Sequence, residues 1–586
     1  MKIVGANSAG IDYGYGEVLI MELFDRTAAA DTSVSVNGQQ TFARPELLTD
    51  GVVGTDYATF EKNLFVLDGA KTIMSDVGAT DCSYWSDRMT GSTGRFAVTP
   101  AVVLTMVEQH SSVGITLHFK DAYPKEIRVL WYDRFGNIID ENNYNPDGLD
   151  YFCKNKIKDF TKVRIEFLEY DPGRYAKLQG VEYGTQIMWM EDEILSMSGN
   201  VAVDETGNTL SAGKLTANVI DTGDELNPGN PGGVHAFMQV WMEARLYRGM
   251  GQEKEFKGKW FYQEAPVTKG KASMKFSDYI GLLDTATFDK GTVYKGVMAG
   301  PIIAAIMTSA GIDLSMVEVD IETSAALVSG TIKPGTCREA LREVLFATGA
   351  IAVTDGQEKL IIRQDVPVTR GTIPRSRKFS TTMSVAPYIS EVMISYDEYL
   401  LDAERSQISL ETYEAGTHKI IFTDPAVEVQ VSAGTIKETA PYYIVLEVPE
   451  TQEIEITGRK YTGNSITVSE SVEKLEAGMT SNRIEFSGTL FDFATAKKKA
   501  RALLDVYQYQ TLLTVKFISE DELCGDWYTV ENPQNDMASF ISRVTNVTTD
   551  IARGFVKTAK MRGKYNLQAE KIYSGELLTG EEVSVL

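Results

Sequence analysis

Hydrophobic and polar residues alternate along much of the first 190 residues of the chain. Apolar side chains take every second position in VGITLHFK (113–120), in EIRVLWY (126–132) and at the start of VRIEFLEY (163–170). A period of two places one face of a strand in the core and the other in water. No window with helical periodicity competes in this stretch. The pattern therefore predicts a jelly-roll-like β-sandwich of antiparallel strands over residues 1–190.

A second run of strand patterns covers residues 191–295 and predicts a first β-barrel domain. Apolar residues alternate in KLTANVI (214–220), and the Pro- and Gly-rich segment 221–233 then predicts a flexible solvated loop. One long strand is predicted over 235–247. Its two faces are both partly apolar, which is typical of strands that lie between layers or at a subunit contact.

The period changes in residues 296–385, which predict a small α+β domain. The segment 301–311 predicts a short apolar helix, because Pro301 stands at its start and Gly311 follows its end. A second helix is predicted over 336–349. Its first turn has the pattern of a capping box, a Thr followed three residues later by a Glu.

Two further features complete this middle region. A β-hairpin is predicted over 350–363, with its turn at Asp355-Gly356. The basic segment 369–380 is interrupted by Pro and Gly, and it predicts a linker or an exposed arm.

Strand patterns return in residues 386–565, which predict a second β-barrel domain interrupted by one helix over 492–507. Asp492 is its predicted N-cap. The Lys497-Lys498-Lys499 run is assigned to the solvent face of the helix. The tail, 566–586, is acidic and predicted to be loosely held. One face of the helix is expected to be buried: Phe493, Ala496, Ala500, Leu503, Leu504 and Tyr507.

Composition narrows the function. At roughly 150 residues per domain, 586 residues correspond to about four domains. The net charge of −24 argues against a protein that coats nucleic acid or anionic membranes, because both are themselves anionic. The N-terminus has no signal-peptide pattern, and no apolar run reaches the roughly 18 residues of a membrane span. We therefore expect a soluble protein without a membrane anchor, made in a cytoplasm.

Catalytic motifs are missing from the chain. Nucleophile-elbow, Walker A, zincin and EF-hand patterns do not occur, and the four Cys and four His are scattered. The acids of loop 221–233 offer a cation site, but a solvated loop is the favoured interpretation. The carboxylates of WMEDEI (189–194) imitate a glycosidase pair, but such pairs arise by chance in a chain with 81 acids. His118 is a lone strand histidine. We predict no enzyme, no catalytic, cofactor-binding or metal-binding residue, and no cofactor.

Residues 61–184 resemble the discoidin-like (coagulation factor C-type, galactose-binding-like) sandwich. The resemblance continues through GRF (94–96), SSVGITLHF (111–119), YPKEIRVLWYDRFGN (123–137) and YAKLQGVEYG (175–184). It implies a carbohydrate-type fold, which does not by itself imply sugar binding. The residues that carry the resemblance at its start are Asn63, Leu64, Phe65, Leu67, Asp68, Gly69, Tyr84, Trp85 and Ser86.

Residues 190–565 resemble the phage tail hub family, found at the baseplate or tail tip. The matching segments are 215–247, KGKWFYQEAPVTKGKASMKFSDYIGLLD (257–284), the helices predicted at 301–311 and 336–349, and FATAKKKARALLDVY (493–507). The resemblance implies two tandem β-barrels with a small α+β domain, three copies of which form a ring. Some relatives carry a C-terminal lytic domain, which is not expected here because the chain ends about twenty residues after Tyr565.

The resemblance implies a structural virion protein. It would be a homotrimeric hub at the distal end of a tail, fitting a hexameric tube to a threefold tip. Its expected partners are the tail tube or distal tail protein, the tape measure protein and tip spike or receptor-binding proteins. DNA would only pass through, along an anionic channel that repels it. Contractile, non-contractile and bacteriocin-like particles all remain open. The alternative is adhesion to host cell-wall carbohydrate by the N-terminal sandwich, and a cell-wall enzyme is the third hypothesis.

Overall fold

A computed structural model gives the fold of the chain. It describes residues 2–4, 14–24, 26–49, 57–65, 72–73, 83–230, 233–251, 253–354, 357–473, 480–520, 522–531, 538–550 and 556–567. The chain divides into two compact units. The first comprises residues 1–195, 218–257 and 262–274, and the second comprises residues 196–217, 258–261 and 275–586.

Strands dominate the first 220 residues, as the alternating pattern predicts. One short helix, Arg26–Asp31 (α1), lies in a stretch for which no helix is predicted. The strands are Lys2–Val4 (β1), Glu17–Phe24 (β2), Ser33–Asn37 (β3), Tyr57–Ala58 (β4), Thr72–Ile73 (β5), Tyr84–Met89 (β6), Ala101–Phe119 (β7), Glu126–Tyr132 (β8), Ile138–Tyr144 (β9), Asp150–Glu169 (β10), Tyr175–Trp189 (β11), Ile194–Ala202 (β12) and Lys214–Ile220 (β13).

Helices and strands mix in the middle of the chain. The helices are Tyr279–Leu282 (α2), Ala299–Ser309 (α3), Ile321–Ala325 (α4) and Cys337–Thr348 (α5). The strands are Glu243–Met250 (β14), Glu253–Glu264 (β15), Val267–Thr268 (β16), Lys271–Ser277 (β17), Thr287–Phe288 (β18), Val293–Met298 (β19), Val317–Val319 (β20), Leu327–Thr331 (β21), Gly335–Thr336 (β22), Ala350–Val353 (β23), Leu360–Gln364 (β24), Thr369–Ile373 (β25) and Lys378–Val385 (β26).

The last third of the chain is again mostly strand, interrupted by the helix Phe493–Tyr507 (α6). The strands are Glu391–Leu401 (β27), Ser406–Tyr413 (β28), Gly416–Ile421 (β29), Ala426–Val431 (β30), Thr435–Ala440 (β31), Tyr443–Val448 (β32), Gln452–Ser471 (β33), Arg483–Ser487 (β34), Thr511–Ile518 (β35), Trp527–Glu531 (β36), Ala538–Asp550 (β37) and Val556–Leu567 (β38). The fold class, mainly β with a small α+β part, is confirmed.

The first unit contains the predicted sandwich. The long strands β7 and β10 pair along most of their length, with register shifts between Lys154 and Lys162. Strand β3 pairs with the first half of β7, and β8 pairs with the second half of β10. Strand β11 pairs with the second half of β7, and β6 pairs with β11. The register shifts bend the two strands, so that both layers share them. Trp131, Phe160 and Phe167 lie fully buried in the core between the layers.

The predicted strand 235–247 is wrong in its first half. Residues Val234–Phe237 form a 3-10 helix, and the strand β14 begins only at Glu243. Trp241 has a φ of +74°, a conformation that no regular strand contains. Apolar residues on both faces therefore reflect an irregular segment and not a doubly covered strand.

The helix α5 is formed as its caps predict, whereas α3 begins at Ala299, two residues before the predicted start at Pro301. The Thr336 hydroxyl accepts a hydrogen bond from the Glu339 backbone N–H, and the Glu339 carboxylate accepts one from the Thr336 backbone N–H. Gly349 ends α5 with a φ of +74°. Strands β23 and β24 form the predicted hairpin, and its turn at Asp355-Gly356 lies outside the described residues.

The second unit contains a curled sheet with the strand order β25-β36-β37-β38-β35-β26. Its two edge strands, β25 and β26, are joined by residues 374–377 alone. So short a connection brings the two edges together, and the sheet must curl into a barrel-like form. The segment 369–380 is therefore paired in a sheet and is not the predicted linker or free arm, although most of its residues are exposed as predicted. The inward side chains of the curled sheet are buried: Ile373, Leu513, Val515, Phe517, Val530, Phe540, Val544, Ala559 and Met561.

A smaller sandwich interrupts the second unit between β27 and α6. One layer has the order β28-β33-β30 and the other has the order β29-β32-β31. Ile444, Leu446, Ile454 and Ile456 are fully buried between the layers. The second half of β33 leaves this sandwich and pairs with β27, on which α6 packs.

Candidate functional site

His118 on β7 lies between two carboxylates of the neighbouring strands. Asp150 stands opposite it on β10, with 2.6 Å between Oδ1 and the His118 Nδ1, and Glu182 on β11 places Oε2 3.3 Å from Nε2. Burial alone would lower the pKa of His118, but the two carboxylates outweigh it and raise the pKa to about 9. The imidazolium is thus held charged and locked on both nitrogens, which suits a structural ion pair better than proton transfer.

The raised pKa gives a pH-dependent contribution to stability. A histidine with a pKa of 6.5 when unfolded and about 9 when folded stabilises fully below 6.5 and loses this contribution as the pH rises through 9. We expect His118→Gln to cost about 3 kcal/mol more at about pH 6 than at about pH 10. Urea unfolding of the wild type and the variant at both pH values measures this difference. If the free energy of unfolding depends on pH in the same way in both proteins, the imidazolium does not contribute to stability as expected.

A second buried charge cluster, on the same sandwich, surrounds Lys177 of β11. Its Nζ lies 2.5 Å from Glu61 Oε2 and 2.8 Å from Asp121 Oδ2. The ammonium also lies 4.2 Å from the centre of the Trp85 ring. Glu61 in addition accepts a hydrogen bond from the Tyr175 backbone N–H at 3.0 Å. The cluster ties the segment around Glu61 to the sandwich.

Two phenylalanines beside this cluster face solvent. Phe60 and Phe65 are 88% and 49% exposed, and their rings stack with a centroid distance of 5.0 Å and an interplanar angle of 14°. A ring pair so exposed offers a flat apolar surface. Phe65 is among the residues that carry the sandwich resemblance, of which Leu67, Asp68 and Gly69 lie outside the described residues.

The described part of the loop 221–233 combines exposed residues, as its composition predicts, with buried ones such as Asp221 and Leu226. Asp221 is 1% exposed, and its carboxylate accepts hydrogen bonds from the backbone N–H groups of Glu225 and Leu226, both at 3.0 Å. The Glu225 carboxylate accepts from the Val234 N–H and pairs with Lys156. These acids hold the loop itself. Within the described ranges, no group of three His, Cys, Asp or Glu residues has a geometry suited to a metal ion.

The other acidic candidates and the thiols have structural surroundings. In WMEDEI, Glu193 accepts a hydrogen bond from the Met190 backbone N–H and closes a 3-10 turn. Cys153, Cys337 and Cys524 are buried. Burial raises the pKa of Cys337 to about 11, as burial and then Asp289 disfavour the thiolate. Burial also raises the pKa of Cys153, so neither of these two thiols is a ready nucleophile.

Lys499 contradicts its predicted position on the solvent face of α6. Lys497 and Lys498 are exposed, but Lys499 is buried with its Nζ 4.9 Å from the centre of the Phe346 ring. Burial lowers the pKa of Lys499 to about 8, against a smaller opposing effect of Asp365. The sequence does contain the signal, since 499 lies three residues after Ala496 and four before Leu503 on the apolar stripe.

Asp278 is a buried acid of the second unit. Its carboxylate caps α2 by accepting from the Ile280 and Gly281 N–H groups at 3.1 and 3.2 Å, and it accepts from the Thr354 hydroxyl at 2.6 Å. Burial raises the pKa of Asp278 to about 6, against these hydrogen bonds. The bonds from Ile280 and Gly281 are those of a capping residue, and the bond from Thr354 fastens the start of α2 to the end of β23.

The second unit has a cavity of about 300 Å³ between β19, β21, β27 and the start of α6. Phe493 is 62% exposed and lines this cavity, so its predicted place on the buried stripe of α6 is wrong. Side chains lean toward the N-terminus of a helix, and the first helical residue therefore projects beyond the layer that the later turns cover. Aromatic rings form much of the wall: Tyr294, Tyr396, Tyr399, Phe491 and Phe493.

Comparison with known proteins gives structural relatives only. No protein-family model and no curated protein matches the chain. A tail protein from Neisseria meningitidis MC58 is 10% identical, with a TM-score of 0.38 over 64% of this chain and 92% of that one. A prophage tail protein from Listeria monocytogenes EGD-e is 8% identical, with a TM-score of 0.36 over 76% and 96%.

A further relative comes from a different class of protein. A family 32 carbohydrate-binding module from C. perfringens, solved in complex with galactose, is 7% identical, with a TM-score of 0.19 over 29% of this chain and 99% of that one. Similarity to tail proteins, expected from the sequence, is thus found among solved structures as well.

Among the described residues, no helix combines the length and the apolar character needed to cross a bilayer.

Proposed function

We propose that this protein is a structural component of a phage tail or phage-tail-like particle, a homotrimeric hub at the distal end of the tail. The observation that carries the proposal is the order of parts along the chain. A bent sandwich, α+β elements around α3 and α5, and a curled barrel-like sheet support three of the four parts that the sequence resemblance implies, while the first β-barrel over 191–295 stays a prediction. The domains would be 1–190, 191–295, 296–385 and 386–565, with the tail 566–586.

The chemistry of the described residues supports a structural role over a catalytic one. His118 is locked by two carboxylates, the thiols of Cys153 and Cys337 are buried with raised pKa values, and Asp278 caps a helix. An enzyme site needs a nucleophile or base that faces a substrate. The polar groups named here instead hold the fold together.

The proposed partners follow from the place in the particle. The trimer would contact the tail tube or distal tail protein and the tip proteins, and it would leave a channel for the tape measure protein and DNA. A net charge of −24 supports a channel wall that repels DNA and lets it slide. Charges mapped on the assembled trimer test this part, since a basic channel wall would contradict it.

Position in the particle can be tested directly. Antibody raised against the purified protein and labelled with gold is applied to intact particles from the host. The proposal predicts label at the end of the tail that lies away from the capsid, after assembly in the host cytoplasm. Label on the capsid, or protein found only outside particles, would contradict it.

A second function, adhesion to cell-wall carbohydrate, is favoured by one observation. The exposed stack of Phe60 and Phe65 is the kind of flat apolar surface on which sugar rings pack. A glycan array probed with the full chain tests it, with Phe60→Ser as the variant that should lose binding and Phe379→Ser, an exposed ring elsewhere, as the control. Absence of binding to every host wall polysaccharide rejects this function.

A further inference from the structure

Lys177 lies within bonding distance of two carboxyl groups at a buried site of the sandwich. Its side chain is 3% exposed, and the side chains of Glu61 and Asp121 are 1% and 10% exposed. The pair of Lys156 and Glu225 in the same unit is more open, at 25% and 23%. A reaction that consumes one ammonium and one carboxylate removes two charges from a medium that disfavours them.

The strands hold an amine and a carboxyl group side by side. Asp121 follows the end of β7 by two residues, and Phe119 at that end stands opposite Leu178 of β11. The Lys120 backbone N–H donates to the carbonyl oxygen of Lys177 at 3.4 Å. The Asp121 Oδ2 lies 2.8 Å from Nζ, which places the carboxyl carbon next to the nitrogen. Groups fixed in this way react as if they were present at very high concentration.

Glu61 is placed to carry protons for this pair. Its Oε2 lies 2.5 Å from Nζ and accepts a hydrogen bond from the Thr59 hydroxyl at 2.7 Å. Its Oε1 accepts from the Tyr175 backbone N–H at 3.0 Å. Both oxygens are thus held by the fold while the neighbouring groups react. The Trp85 ring, centred 4.2 Å from Nζ, contributes to the exclusion of water from the site.

We propose that Lys177 and Asp121 join in an intramolecular amide bond, with Glu61 as the proton carrier. One ammonium proton passes to the Asp121 carboxylate, and the electron pair on Nζ attacks Cγ of the resulting acid. Glu61 takes a second proton from the nitrogen and gives it to the departing hydroxyl, which leaves as water when the C–O bond breaks. Ammonium and carboxylate thus become amide and water, and no other reactant is needed.

The ion-paired cluster is the state that precedes this reaction. The bond fastens the end of β7 to β11 by a covalent link between side chains, so it serves the stability of the sandwich. This inference is independent of the proposed place in the tail, because every residue that carries it lies in the first unit.

The mass of the full chain is the test, because the reaction releases one water molecule. Denaturing conditions break ion pairs and leave amides intact. Electrospray mass spectrometry of the denatured wild type is therefore expected to give the sequence mass less one water. Trypsin does not cleave after an acylated lysine, so digestion should release residues 121–125 joined to residues 175–214.

Three variants complete the design. Glu61→Gln keeps the size of the side chain but cannot carry the proton, and Lys177→Arg keeps the positive charge without the primary amine. Both should retain the full sequence mass. Asp171→Asn changes an acid of the same sandwich that is 70% exposed. It is the matched control and should lose one water as the wild type does.

Each outcome decides for or against the bond. A wild type with the full sequence mass and no joined peptide overturns the proposal and leaves a cluster of ion pairs only. A peptide joined through Glu61 contradicts the role given to Asp121, and a bond formed equally in Glu61→Gln contradicts the role given to Glu61. Circular dichroism shows which variants are folded, and if Glu61→Gln is not, the mass and the joined peptide of the wild type still decide.

Discussion

Replacing Lys177 with Met is expected to lower the free energy of unfolding of the first unit by about 3–5 kcal/mol. The ammonium is 3% exposed and neutralises Glu61 and Asp121, whose side chains are 1% and 10% exposed. Without it, two buried carboxylates lose the ammonium that neutralises them. Trp85, 4.2 Å from the ammonium, loses its cation as well. Urea unfolding followed by tryptophan fluorescence measures the loss.

Lys125→Met is the matched control for this prediction. Lys125 pairs with Asp171 on the same sandwich at 2.7 Å, but the two side chains are 54% and 70% exposed. An exposed pair contributes little, so its unfolding midpoint should stay at the wild-type value. If the Lys177→Met protein unfolds at the same urea concentration as the Lys125→Met protein, the buried cluster does not have the role assigned to it.

A loss of similar size, about 3–5 kcal/mol, is expected for Phe346→Ala in the second unit. Phe346 of α5 is fully buried, and its ring contacts Phe491 edge-on with a centroid distance of 5.4 Å. The Lys499 ammonium lies 4.9 Å from the centre of the same ring. Truncation opens a void between α5 and α6 and leaves a buried charge without its aromatic partner, and the thermal unfolding of this unit should report both.

Phe379→Ala provides the comparison. This ring is 61% exposed on β26 of the same unit, so its removal creates no cavity and should leave the unfolding midpoint unchanged. Equal losses for the two substitutions would mean that Phe346 does not link the two helices in the way described.

Local patterns made much of the fold predictable. Alternation identified β7, β8 and β10, and the Thr336–Glu339 capping box placed the start of α5, because these signals depend on residues close in sequence. The helix α6 and its N-cap Asp492 are confirmed for the same reason.

Features that depend on distant partners were not predictable. Lys177 meets Asp121 and Glu61 across 56 and 116 residues, and these three residues come together only in the folded chain. The segment 369–380 looked like a linker because its pairing partners, β35 and β36, come more than a hundred residues later. Lys499 was misplaced by its charge, although its spacing places it on the buried stripe.

The cavity was not predictable from the sequence either. Its walls come from β19, β21, β27 and α6, which are separated along the chain by the α+β elements and the small sandwich. No short motif unites Tyr396, Tyr399 and Asp397 with Tyr294. These residues line one cavity only when the strands pair in the folded chain.

We propose that three copies of this chain form the hub. Native mass spectrometry of the purified full chain, with images of the same sample, measures the number of copies. The expected result is a mass of three chains of 64.7 kDa each and rings with threefold symmetry. A chain that remains a stable monomer at every concentration examined would contradict it.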